Sequence, residues 1–280
     1  MRAERLTDRV AYHGEGPVWL PDHGGLTWVD MLDGDVLTLR GDRIDRRHVD
    51  SVVACVRPRT NGGLVYGIER GFALEDADGA LRRIELWQDA NLRMNEGAVD
   101  PEGHFYCGSM PYDRTPGAAS LYRLAPDGTV TTVLPEVTIS NGLDHSPDGR
   151  LAYYNDTHEQ RIDVFDHAPE AGLVNRRTLV DTGPDGRPDG LTVDAEGNIW
   201  TAMHRGSAVH CYSPEGTLEQ VVELPTPLVT ACTFGGDDLA TLFITTSREG
   251  MAEDDDDQLA GSLFTVQPGV RGLPVRAFAG

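Results

Sequence analysis

Glu15, Asn95, Asn141 and Asp189 are the residues of this 280-residue chain best placed to do chemistry, because they recur at one phase of a repeated pattern. With Cys55 and Thr230 they complete a set of six, each standing about seven residues before a short turn. The turns fall near residues 23, 62, 102, 148, 196 and 237, and each joins a short apolar strand to one rich in aromatic and β-branched residues. Four of the six positions are Glu, Asn or Asp, types that are rare inside strands and costly to bury unpaired. Two carboxylates and two carboxamides turned inward from apolar strands call for a counter-charge. A divalent cation held by oxygen ligands meets that need.

The elements that must position these residues follow from the spacing. Strand–turn–strand units about 40–48 residues apart are the signature of a β-propeller with four strands per blade. Stretches 120–134, 161–180 and 208–224 read as the outer strands, and no segment carries a helical period over three turns. The expectation is therefore an all-β, six-bladed propeller with four-stranded antiparallel blades, residues 1–280 forming a single domain. A β-sandwich would leave the near-constant spacing of six hairpins unexplained. The first strand of each blade should line the central channel, which gathers the six positions at one end of it. The segment Leu6–Tyr12 is expected to complete the last blade.

Composition narrows the function. All 24 basic residues are Arg, and against 45 acidic residues they leave a net charge of −21. Without Lys there is no Schiff-base chemistry and no G-K-[ST] phosphate loop. Such a charge opposes nucleic acid and anionic membranes, so neither is expected as a partner. The four cysteines show no C-x-x-C pair. The opening MRAERLTDRVAYHGEG has no apolar core of a signal peptide, and a cytoplasmic location is expected. His13, His104, His145, His158 and His204 lack metalloprotease spacing and read as satisfied structural histidines, with His13 and His204 the two to watch. Ser109 and Ser140 lack a nucleophile elbow. Cys55 reads as a small apolar wall residue, and the acidic run Glu253–Asp257 as a solvated loop.

The segments GEGPVW (14–19), RMNEGAVDPEGHFYCGSM (93–110), SNGLDHSPDGR (140–150), RPDGLTVDAEGNIW (187–200) and TACTFGGDDLATLFITT (230–246) resemble the gluconolactonase/senescence-marker-protein/luciferin-regenerating-enzyme family. The resemblance covers nearly the whole chain. It implies a six-bladed propeller with one divalent metal in the channel and, in many members, hydrolysis of sugar lactones. It further implies metal ligands at Glu15, Asn141 and Asp189, and substrate contacts at Arg93 and Asn95. Asp189 is then the candidate general base, and the small-molecule partner a sugar lactone opened to its aldonic acid. Ca²⁺ is the first choice of cation, with Zn²⁺, Mn²⁺, Mg²⁺ and Fe²⁺ also compatible. The alternatives are a calcium-dependent phosphotriesterase-like hydrolase and a non-enzymatic calcium-binding propeller. Two departures stand out: Glu96 replaces the family's Asp in N-D-G, and His145 replaces the Trp of G-L-D-W-S.

Overall fold

Six four-stranded antiparallel sheets follow one another as the blades of a β-propeller. They are seen in a computed structural model that describes residues 1–184, 186–252 and 257–280. Blades one to five are each continuous in sequence, over residues 14–48, 53–85, 92–137, 140–181 and 187–223. Blade six joins Val229–Gly235, Thr241–Thr246 and Phe264–Val266 to Glu4–Arg5 from the start of the chain. The N-terminal strand thus closes the ring, as expected, but through Glu4–Arg5, just before Leu6–Tyr12. The turns joining first and second strands lie at 21–24, 59–63, 100–104, 146–150, 194–198 and 236–240. All six expected positions fall within them. Among the described residues the only helices are three single 3₁₀ turns, and none is long and apolar enough to cross a membrane.

Burial grades from axis to rim. First strands such as Val53–Pro58 and Val229–Gly235 are buried over most of their length, because neighbouring blades cover both faces. Fourth strands such as Arg43–His48 and Leu81–Glu85 are largely exposed and rich in Arg. Charges on an open sheet edge discourage pairing with another chain. The apolar core is distributed between blades, the largest cluster lying among blades one, two and three.

One irregularity recurs in all six first strands. The pairing with the second strand slips between Glu15 and Val18, Val53 and Cys55, Met94 and Gly97, Ser140 and Leu143, Pro188 and Leu191, and Val229 and Ala231. A β-bulge leaves residues unpaired and re-aims their side chains. Asn95, Asn141, Asp189 and Thr230 are such unpaired residues, and Glu15 borders one. The following glycines permit the close approach of adjacent first strands. A Cβ on Gly142 would lie 2.5 Å from the Leu191 nitrogen, and one on Gly190 2.5 Å from the Ala231 Cβ.

Blade two departs from the expected phase. Its bulge leaves Ala54 unpaired, and Cys55 instead packs into the core, its Sγ 3.8 Å from that of Cys107. The reading of Cys55 as a small packing residue fits, but it belongs to the blade interface and is not one of the bulge residues. Gly67 makes room for the two sulfurs, since a Cβ there would stand 2.6 Å from the Cys107 Sγ. Gly67→Ala is therefore expected to destabilise the fold by about 1–3 kcal/mol through overpacking. An unchanged urea midpoint would show that the sulfurs yield freely.

The far end of the channel is crossed by the C-terminal segment. Gly272 donates to Leu239 in blade six's turn, Ala195 donates to Arg271, and Phe278 and Ala279 donate to Pro58 and Gly103. Phe278 is wholly buried by this crossing.

Candidate functional site

Glu15, Asn95, Asn141 and Asp189 come from blades one, three, four and five, and all are buried. Their polar atoms are only partly satisfied. Glu15 Oε2 accepts the Gly16 N–H at 2.9 Å. Asn95 donates from Nδ2 to the Ser140 carbonyl at 2.8 Å, tying blade three to blade four. Asn141 Nδ2 donates to Thr157 Oγ1 at 2.9 Å, and that hydroxyl donates to the Pro188 carbonyl at 2.8 Å, tying four to five. Asn155 Nδ2 holds the Asp189 carbonyl at 2.7 Å. These bonds fix the backbone and amide ends of the residues. They leave Asn141 Oδ1 and Asp189 Oδ1 buried with no hydrogen-bond partner.

The orphaned oxygens of one carboxamide and one carboxylate, beside the Glu15 carboxylate, make a negative pocket. Burial is the main cause that pushes the Glu15 carboxyl up, followed by the charges of Asp189 and Glu96. Burial likewise pushes Asp189 well above the usual range, with Glu96 adding to it and the Asn141 amide opposing. Without a positive ion, the acids can be neutral only by holding protons. The oxygen-only donor set and the unpartnered acceptors suit a hard divalent cation. Thr230 offers no free group: its hydroxyl donates to the Gly14 carbonyl at 2.6 Å.

Arg93 lies 2 % exposed beside this pocket. Its Nη1 donates to Asn95 Oδ1 at 2.6 Å and to the Met94 carbonyl at 3.0 Å, while Nε has no partner. No carboxylate of the described residues pairs with it within 4.0 Å, and its guanidinium stands 5.9 Å over the half-exposed Tyr112 ring. Burial lowers its pKa against the pull of Glu249, Tyr112, Glu15 and Asp189. Arg93 therefore reaches the site as an unpaired, desolvated cation, and not as an interblade ion pair.

Further groups border the site, among them His13 and His204, the two histidines the sequence marked to watch. His13 Nδ1 is 2.6 Å from Ser247 Oγ and 3.7 Å from Glu249 Oε2. Burial, then Arg93 and His204, lowers His13 to about 3. His204 falls to about 4 through burial and Arg205. Both imidazoles are thus neutral at physiological pH and able to accept or donate through a ring nitrogen. Glu249, Ser247 and Tyr112 sit in loops, where no periodicity marks them. Of the acidic run Glu253–Asp257, residues 253–256 lie outside the described residues. Asp257 accepts from the Thr226 hydroxyl at 2.7 Å and from the Leu259 and Ala260 amides.

A cavity of about 780 Å³ lies in the opposite half of the channel, lined among others by Trp19, Arg57, Glu96, Asp144 and Arg276. Its charges answer one another: Arg57 meets Glu96 at 3.4 Å and Arg276 meets Asp144 at 3.5 Å. Volume alone does not make it the reactive centre. The unpartnered oxygens are at the other end, and Glu96 is the carboxylate between the two.

The fold and the ring of oxygen donors define a β-propeller with an axial polar site. The chain belongs to the SMP-30/gluconolactonase/LRE-like family, whose profile matches residues 13–248. It is 37% identical to regucalcin of Danio rerio over 284 residues, 95% of each chain. Pentonolactonase XacC of Haloferax volcanii is 35% identical over 286 residues, covering 98% of this chain and 97% of its own. The crystal structure of a calcium-binding protein, regucalcin, from Agrobacterium tumefaciens superposes with a TM-score of 0.92 at 28% identity, covering 99% of this chain and 97% of that one.

Proposed function

We propose that the chain hydrolyses a sugar lactone to its aldonic acid with the help of one divalent cation. The observation that carries the reading is the pair of buried, unpartnered oxygens, Asn141 Oδ1 and Asp189 Oδ1, facing the same pocket as Glu15. The kinship with a pentonolactonase supports lactone as the substrate class, and the calcium-binding relative supports Ca²⁺ as the first cation to test.

Glu15, Asn141 and Asp189 would hold the ion, which when bound supplies Lewis acidity to the lactone carbonyl and offsets negative charge building on its oxygen. Asp189 takes a proton from the attacking water, whose oxygen adds to the carbonyl carbon. The ring C–O bond then breaks, and the proton passes to the departing ring oxygen. Arg93 gives its unpaired N–H donors to substrate hydroxyls, and Tyr112 offers the sugar a half-exposed ring beside it. Asn95, held by Arg93 and the Ser140 carbonyl, orients the ring. Neutral His13 and His204 leave the charge of the pocket to the carboxylates and Arg93.

The test is acid release from five- and six-membered aldonolactones, with a phosphotriester in parallel, by the Ca²⁺-loaded protein. Turnover of the lactones is expected. Turnover of the triester alone would transfer the site to phosphoryl chemistry. A loaded protein inert to both would reduce the role to calcium binding.

A further inference from the structure

Glu249 borders the axial site and takes no part in the steps of lactone opening. It follows strand Thr241–Thr246 of blade six, on a segment whose backbone is tied down on both sides. Ser247 donates to the Leu228 carbonyl at 2.9 Å, and Arg248 to the Tyr12 carbonyl at 2.8 Å. Ser247 Oγ accepts the Glu249 N–H at 2.8 Å and lies 2.6 Å from His13 Nδ1. The carboxylate is therefore held beside the strand that carries Glu15. Its Oε2 stands 3.7 Å from the same His13 nitrogen, with the side chain 32% exposed.

What this carboxylate lacks is a cation. Among the described residues no guanidinium lies within 4.0 Å of Glu249, and no carboxylate within 4.0 Å of Arg93. The two charges nevertheless feel each other. Burial lowers the Arg93 pKa, and Glu249 is the foremost of the charges that raise it. Glu249 also acts on Asp189, after burial, Glu96 and the Asn141 amide, and on His204, after burial and Arg205. His13 borders blade one, Arg93 lies in blade three, and Asp189 and His204 lie in blade five. Those blades alternate round the ring, so a blade-six carboxylate that meets all of them reaches toward the axis. A guanidinium and a carboxylate that share a pocket without pairing leave a gap between opposite charges. Hydroxyl groups fit such a gap, since each can accept from the one and donate to the other.

We propose, resting on the lactone reading of the site, that Glu249 is a specificity residue which with Arg93 selects a neutral, hydroxyl-bearing lactone over one that carries a carboxylate. One substrate hydroxyl accepts from Arg93 and another donates to Glu249, each through a charge-assisted bond. A substrate carboxylate would still satisfy Arg93. It would meet Glu249 as a like charge with no proton to share, which adds a repulsive element to the attractive one.

The experiment compares kcat/KM of the Ca²⁺-loaded protein for a neutral aldonolactone and for the same ring bearing a terminal carboxylate. The wild type is expected to prefer the neutral lactone. Glu249→Gln removes the charge at constant size, and should shrink that preference by about 10–100-fold. Glu249→Ala, which also removes the acceptor, should raise KM for the neutral lactone. If Glu249 served only to hold its loop, the melting temperature would fall and both substrates would suffer alike, leaving the ratio unchanged. Calorimetry with the two corresponding lactams, whose ring amide resists hydrolysis, reads the same preference without turnover. Preferential binding of the neutral lactam, lost in Glu249→Gln, would uphold the selection even in a protein that opened no lactone. A wild type that takes the acid form as readily as the neutral one or binds neither lactam, or a preference unaltered in Glu249→Gln, would overturn the proposal.

Discussion

Asp189→Asn is expected to lower kcat for lactone opening by about 10²–10⁴-fold at saturating cation, the range typical of a lost general base. Arg93→Ala should leave kcat within about tenfold of the wild type and act mainly by raising KM. The contrast follows from where each group sits. Asp189 presents a buried oxygen with no partner, available to an ion and to a proton in transit. Arg93 is anchored to Asn95 and the Met94 carbonyl, and offers its remaining donors to groups that persist from bound substrate to transition state. Initial rates over a range of aldonolactone concentration separate the two. Equal losses of kcat in both variants would contradict the division, and a fully active Asp189→Asn would contradict the chemistry.

Cation binding should stabilise the protein far more at pH 8 than at pH 5. Glu15 and Asp189 are pushed up first by burial and then by neighbouring carboxylates, so the cation-free folded chain holds protons more tightly than the unfolded chain. Their contribution to stability is therefore fully present below the ordinary carboxylate value of about 4–4.5 and is lost as pH rises through the raised values. A cation competes with those protons and relieves the same repulsion. At a hundred times its Kd, Ca²⁺ contributes about 2.7 kcal/mol. Melting curves with and without Ca²⁺ at the two pH values provide the check. A shift no larger at pH 8 than at pH 5 would mean that the acids of the ring do not bind it.

The architecture was legible because turns and strands repeat. Glycine-bearing turns at near-constant spacing marked all six hairpins, four of them with P-D-G or D-x-x-G, and the phase of Glu15, Asn95, Asn141 and Asp189 carried them to one end of the channel. Cys55 broke the pattern because bulges are local. The slip in blade two falls one residue earlier relative to Cys55 than spacing implies, so Ala54 takes the unpaired place. Closure through Glu4–Arg5 is a pairing between chain ends that no local signal encodes. Ser247, Glu249 and Tyr112 were invisible for a related reason: loop residues reach the site by tertiary placement, with no period to reveal them. His145 was read as a satisfied structural histidine, and the structure shows otherwise, since both its nitrogens are buried and open.

The most direct test of the central claim is the rate of aldonolactone opening by protein stripped of metal and then titrated with Ca²⁺. The expected result is no turnover above the uncatalysed rate in the stripped protein. Activity should return in step with the first equivalent bound, and Asp189→Asn should fail to recover it. Stripped protein that opens the lactone as fast as the loaded protein would contradict a cation held by Glu15, Asn141 and Asp189 as the basis of the reaction.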